Sequence, residues 1–278
     1  MIVSVNYALF GQCPDGLEAM VKTAKATGYD GIEASPAQVA AYGTEETKRL
    51  LRQTGMKITA FALPWNPIET DEETNAAALR ALDAQAATMA AVGCTLCYTF
   101  VRSCSHDLPL EENRAFHLQR LRPITALLQK YNIRLALEFI GTLTSRKSRK
   151  YPFLYTAEDM LKLCRECGEN CGLLFDAWHW YSGANNRDVF ENIGGAKNIY
   201  LVHMNDAPDG DPATLPDKPR ALAGETGNID LAFVVGKLKE YAYDGPVVSE
   251  SFSPTLQNAA TLEEKLRMAC QAVRGVLR

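Results

Sequence analysis

Four apolar segments each end in a side chain that apolar packing does not explain. RLALEFIG carries Glu138, LLFDAWHWY carries Asp176, IYLVHMND carries His203 and PVVSESF carries Glu250. An isolated buried carboxylate is very costly, so each of the three acids must be solvated, paired or bound to a cation. Carboxylates crowded together repel and raise one another's pKa, and a divalent cation removes that conflict. Three oxygen donors and one imidazole suit Mn²⁺, Co²⁺ or Mg²⁺ and also accommodate Zn²⁺, with substrate oxygens or water completing the shell. The competing reading is four separate strand-end groups, each satisfied by local backbone. That reading serves one residue well and four consecutive strand ends poorly.

The elements that must position these groups follow a repeating pattern. Strands are expected at about 2–9, 29–34, 57–63, 95–101, 133–140, 172–178, 199–206 and 246–252. Helical stretches fall between and after them, near 16–27, 44–54, 71–92, 111–131, 157–169, 187–196, 230–242 and 261–276. Thr70 with Glu73, Thr156 with Asp159 and Thr261 with Glu264 read as helix-start signals. Gly28, Gly55, Gly93 and Asn132 suit left-handed helix exits. Strands alternating with helices imply parallel pairing through right-handed crossovers. Eight such units across residues 1–278 predict a single α/β domain, a (β/α)8 TIM barrel, with its chemistry at the C-terminal ends of the strands. A doubly wound open sheet is the alternative, but no glycine-rich phosphate turn follows the first strand.

Composition narrows the function. The chain is 47% hydrophobic and 22% charged, with a formal net charge of −4, which is ordinary globular usage without the basic excess of a nucleic-acid binder. No apolar run approaches a membrane span, and MIVSVNYALF lacks the features of a signal peptide, so a cytoplasmic protein is expected. A small-molecule partner is expected, with no nucleic-acid or membrane partner, and a homo-oligomer is compatible with the sequence. Cys94 with Cys97, and Cys164 with Cys167, have CxxC spacing, but they fall in a strand and a helix rather than a tight metal-binding loop. They read as small buried side chains.

LEFIG, FDAWHW, VHMND and VSESFSP, in that order on these strands, together with GYDGIEAS and the stretch from DKPR through GETGNIDL, resemble the xylose-isomerase-like sugar isomerases and epimerases, close to the inosose isomerases and D-tagatose 3-epimerase. The resemblance covers nearly the whole chain. It implies that Glu138, Asp176, His203 and Glu250 hold one divalent metal ion and that Glu138 and Glu250 are also the acid/base pair. It implies further that His179 and Arg220 hold substrate oxygens and that Glu33 belongs to the pocket wall. Trp65 and Trp178 are candidates to pack on a sugar ring, against the alternative of ordinary core packing. Thr144 stands where some epimerases of this group carry another acid.

The expected chemistry is proton transfer beside a ketone through a cis-enediolate, on a keto-sugar or an inosose. The alternatives are a metal-dependent lyase or dehydratase on the same scaffold and, more remotely, an endonuclease IV-like phosphodiesterase or a non-catalytic sugar-binding barrel. Two further segments stand out. Residues 207–228 exceed a usual βα connection and are expected to fold over the substrate, bringing Arg220 to it. Arg146, Lys147, Arg149 and Lys150 form a basic run beside the site, read either as a holder of an anionic group or as a solvated loop.

Overall fold

Eight parallel strands close into a barrel in a computed structural model that describes residues 1–278. They are β1 Ile2–Val5, β2 Gly31–Glu33, β3 Lys57–Ala62, β4 Leu96–Val101, β5 Arg134–Phe139, β6 Cys171–Asp176, β7 Ile199–His203 and β8 Pro246–Val248. Each strand pairs with its neighbours in chain order, and β8 returns to β1 through Ile2 opposite Pro246. The (β/α)8 expectation therefore holds, and it follows from apolar strands that must bury both faces.

The outer layer is helical. It contains α1 Gly16–Ala26, α2 Pro36–Tyr42, α3 Thr44–Thr54, α4 Glu72–Ala91, α5 Leu110–Gln129, α6 Leu143–Arg146 and α7 Ala157–Cys167. It continues with α8 Ala177–Gly183, α9 Val189–Ile193, α10 Leu231–Glu240, α11 Pro254–Gln257 and α12 Leu262–Leu277. The main core lies between the helices and the outer faces of the strands, with Val21, Phe61, Leu121 and Phe175 among its fully buried members. All eight cysteines are free thiols, and all but Cys13 are buried, which agrees with the packing reading.

Several local expectations shift. The first strand stops at Val5 because Asn6 caps a short 3-10 turn, Tyr7–Phe10, with its side chain. The sixth strand ends at Asp176 rather than continuing through Trp178, because Asp176 caps α8. At α4 the capping residue is Asp71, not Thr70; Asp71 Oδ1 accepts from the Thr74 backbone at 2.9 Å, while the Thr70 hydroxyl donates to the Asn66 carbonyl. Thr156 and Thr261 cap α7 and α12 as expected. Gly28, Gly55, Gly93 and Asn132 all have positive φ at helix exits. Gly141, just beyond β5, has a different reason to lack a side chain. A Cβ there would stand 1.9 Å from the His179 carbonyl oxygen, so its absence lets α8 dock against the end of β5.

Candidate metal centre and active site

The interior of the barrel sets the site. Ala136, Leu174, Leu201 and Val248 belong to a small apolar cluster formed by β3 to β8. Strand side chains alternate between faces, so the residue two positions on from each points to the same side. Those residues are Glu138, Asp176, His203 and Glu250, one layer nearer the C-terminal mouth. The strands that carry or lead into them are consecutive around the barrel, β5, β6, β7 and β8. Each residue offers one ligand atom, and the four atoms lie within 4.8 Å of one another. Oxygens from three carboxylates and one imidazole nitrogen facing a common point fit a hard divalent cation.

Two side-chain cations face the three carboxylates of the cluster. His203 Nδ1 lies 2.7 Å from Glu250 Oε2 and 3.1 Å from Glu138 Oε1. Burial opposes a charge on this ring, but Glu250, Asp176 and Glu138 overcome it and raise its pKa well above the usual histidine range. Arg220 Nη1 donates to Asp176 Oδ2 at 2.8 Å and to Glu250 Oε2 at 2.9 Å. Burial likewise disfavours charge on Asp176 and Glu250. Arg220 with His179 and His203 brings Asp176 far below the usual carboxylate range, and His203 with Arg220 brings Glu250 below it. Glu138 has no guanidinium against it, and burial together with the charge of Glu250 pushes it up to about 8.

Asp176 divides its two oxygens. Oδ1 accepts from the Trp178 and His179 backbone N–H groups at 2.7 and 3.3 Å, at the positive end of α8, while Oδ2 turns toward Arg220 and His203. His179, in the first turn of α8, has its pKa lowered by burial; its Nε2 lies 3.3 Å from Arg220 Nη2.

Arg220 arrives from the long segment 207–228, and its Nη2 also donates to Asp217 Oδ1 at 3.0 Å. The segment is held at its base by Asp206, a fully buried residue whose role sequence reading missed. Asp206 Oδ1 accepts from the Ala207 and Ile229 N–H groups, and Oδ2 accepts from those of Thr226 and Gly227, at 2.8 to 3.2 Å. An Asp beside a long loop was the available signal, but its partners lie some twenty residues further along.

Over the centre is a cavity of about 480 Å³, lined by Glu138, Glu250, His179, Arg220, Phe100 and Arg102 among others. The two glutamates form part of its wall, whereas Asp176 has no exposed surface at all. Other expected residues lie elsewhere. Glu33 is buried outside the cavity lining, and its Oε2 accepts from the Tyr98 hydroxyl at 2.6 Å. Trp178 is wholly buried in the core and stacks near Tyr181, and Trp65 donates to Asn75 Oδ1 and packs against the core. Neither tryptophan lines the cavity. In the basic run, Arg146 lies over the Tyr155 ring and Lys150 over Tyr151, while Arg149 pairs with Glu69.

The sequence profile of the xylose isomerase-like TIM barrel family matches residues 21–272. The chain belongs to that family. An inosose isomerase from Bacillus velezensis is 27% identical over 168 residues, which are 60% of this chain and 56% of that protein. The chain thus spans little more than half the length of the curated relatives it matches. A solved xylose isomerase domain protein from Alicyclobacillus acidocaldarius superposes with a TM-score of 0.85 at 23% identity, over 100% of this chain and 98% of that one. The IOLI protein, solved with a bound zinc atom, superposes with a TM-score of 0.81 at 21% identity over the same shares. These likenesses show the fold. No helix of the chain is long and apolar enough to cross a membrane.

Proposed function

We propose that the protein is a divalent-metal-dependent isomerase or epimerase of a keto-sugar or keto-inositol. Glu138, Asp176, His203 and Glu250 would hold the ion, and Glu138 and Glu250 would also move the substrate proton. One observation carries the reading: of the three carboxylates in one cluster, the two glutamates wall the cavity and the aspartate is sealed beneath it. The relation to an inosose isomerase supports the substrate class.

A bound divalent ion would act as a Lewis acid on a ketone oxygen and its neighbouring hydroxyl, acidifying the C–H between them. Glu138 and Glu250 approach from β5 and from beyond β8, with β6 and β7 between them. One takes the proton and the other returns one from a different side. Return to the adjacent carbon isomerises the substrate, and return to the same carbon from the opposite face epimerises it. Arg220 and His179, both on the cavity wall, would hold substrate oxygens and fix which C–H faces which glutamate. The buried Asp176 and His203 would keep the ion in place.

The test is incubation of the metal-loaded protein in D₂O with inososes, ketohexoses and their phosphates, followed by NMR. Deuterium beside the carbonyl, with formation of an isomer or epimer, is the expected result. Elimination products instead would make the protein a lyase, and no exchange and no turnover across the panel would overturn the reading.

A further inference from the structure

The cavity over the metal centre shares a wall with a second one. Phe100, Arg102 and Cys104, at and just after the end of β4, line both, and the second cavity has a volume of about 510 Å³. At this shared wall two guanidiniums meet on one carboxylate. Arg102 Nε lies 2.5 Å and Arg149 Nη2 lies 2.9 Å from the same oxygen, Glu69 Oε1, and Arg102 Nη2 lies 3.3 Å from Glu69 Oε2. The three residues come from three different connections, after β3, β4 and β5. None of them belongs to the metal cluster.

At Glu69 itself two guanidiniums share one carboxylate, a local excess of one positive charge, while Asp71 and Asp107 line the same cavity away from this pair of contacts. Each guanidinium has five N–H donors, so most of the donors on this pair are not used by Glu69. Of the other carboxylates on the second cavity, Asp71 is engaged at the start of α4 by the Thr74 N–H and hydroxyl, and Asp107 is exposed to solvent. The same cavity is lined by His117, which is 2% exposed. Its Nδ1 lies 2.8 Å from the Asn113 carbonyl and must donate to it, so Nε2 of the neutral ring presents a lone pair. That Nε2 is buried and has no partner. A pair of underused guanidiniums and an unpaired acceptor match a ligand with an anionic group and a nearby hydroxyl.

We propose that Arg102 and Arg149 form an anion subsite, and that the substrate of the metal centre is a polyhydroxylated ketone carrying a carboxylate or phosphate at the end remote from the carbonyl. Glu69 holds the two guanidiniums together when the subsite is free, and His117 accepts from a hydroxyl close to the anionic group. This deepens the proposed function and rests on it for the identity of the reacting end.

The test is calorimetric titration of the metal-loaded protein with three inert probes of similar length: glucitol, gluconate and glucitol 6-phosphate. At least one anionic probe should bind tenfold or more tighter than glucitol, and the better of the two identifies carboxylate or phosphate. The double variant Arg102→Gln with Arg149→Gln should bring that advantage below twofold. Glu69→Gln should act in the opposite direction and tighten anion binding several-fold, because it removes the competing carboxylate. If circular dichroism shows the double variant unfolded, Glu69→Gln decides alone: unchanged or weaker anion binding overturns the subsite. So does an anion advantage that persists in a folded double variant, or no advantage in the wild type. Solvent exchange separates this outcome from the parent reading. Exchange without anion preference removes only the subsite, and arginine-dependent anion binding without exchange into any substrate removes only the proton-transfer reading.

Discussion

Arg220 Nη1 stands 2.8 Å from Asp176 Oδ2, so a residue of the long 207–228 segment neutralises a carboxylate at the end of β6. Both side chains are almost wholly buried, at 2% and 0% exposure. Removing one member of a buried ion pair leaves the other charge uncompensated. Arg220→Ala should therefore destabilise the metal-free protein by about 3 kcal/mol, the lower end for a broken buried pair. A saturating divalent ion should restore most of the loss by taking over the charge. Thermal unfolding with and without metal checks this, and equal losses in both states would place the role of Arg220 in packing. The variant should also raise KM or lower kcat, since Arg220 lines the cavity.

The buried aspartate and the cavity-facing glutamate make different demands on mutants. Asp176→Asn should chiefly weaken metal binding, and excess metal should recover part of the rate. Glu250→Gln keeps an oxygen donor but cannot accept a proton, so its rate should stay down by about 10²-fold or more at saturating metal. Metal titrations alongside rate measurements separate the two. Near-normal turnover in Glu250→Gln would end the two-glutamate mechanism.

Metal uptake should depend on pH with a definite sign. In the metal-free protein Glu138 is pushed up to about 8 and His203 is raised well above its usual range. Both hold protons at neutral pH, and both must lose them to bind an ion. Affinity should therefore rise with pH, steeply below about 8 where Glu138 must also deprotonate, and less steeply above it. Calorimetry at pH 7 in buffers of different ionisation enthalpy should register net proton release; uptake or no release would contradict the assignment.

His117 offers an independent check on stability. Burial lowers its pKa to about 4, whereas an unfolded histidine titrates near 6.5. Between those values the unfolded chain binds the extra proton, so stability falls as pH drops from 6.5 toward 4 and is fully retained above 6.5. Each pH unit between the folded and unfolded values is worth about 1.36 kcal/mol, so the fall due to this residue should approach about 3 kcal/mol by pH 4. Urea unfolding of wild type and His117→Asn at pH 5 and 7 isolates it: the variant should lose less stability on acidification.

The barrel and its cluster of three carboxylates and one histidine were readable because the strands repeat a simple rule. An apolar residue fills the barrel interior, and two positions later a polar one faces the mouth, as Leu174 precedes Asp176 and Leu201 precedes His203. Short elements were less readable. The stretch AWHWYSG, which forms α8, is aromatic on every side and shows no helical stripe, so the apolar pattern carries the sixth strand too far, through Trp178. Trp65 and Trp178 have the chemistry for a sugar platform and equally for a core, and only the packed molecule separates the two. The function of Asp206 was hidden because it is expressed entirely through backbone N–H groups, most of them in a distant turn, which carry no residue-type signal.

Both ends of the 207–228 segment hang from the single carboxylate of Asp206, so the chain's own backbone hydrogen bonds, rather than a ligand, assemble its arch. The entropy of ordering the arch is lost during folding rather than at encounter, which leaves more of the contact energy to appear as affinity. Recognition at the proposed site would then work like a rigid mould: misfit ligands would be rejected by shape, with little chain available to wrap around them. Binding should accordingly show a small heat-capacity change, without the large negative value that accompanies a segment folding onto its ligand.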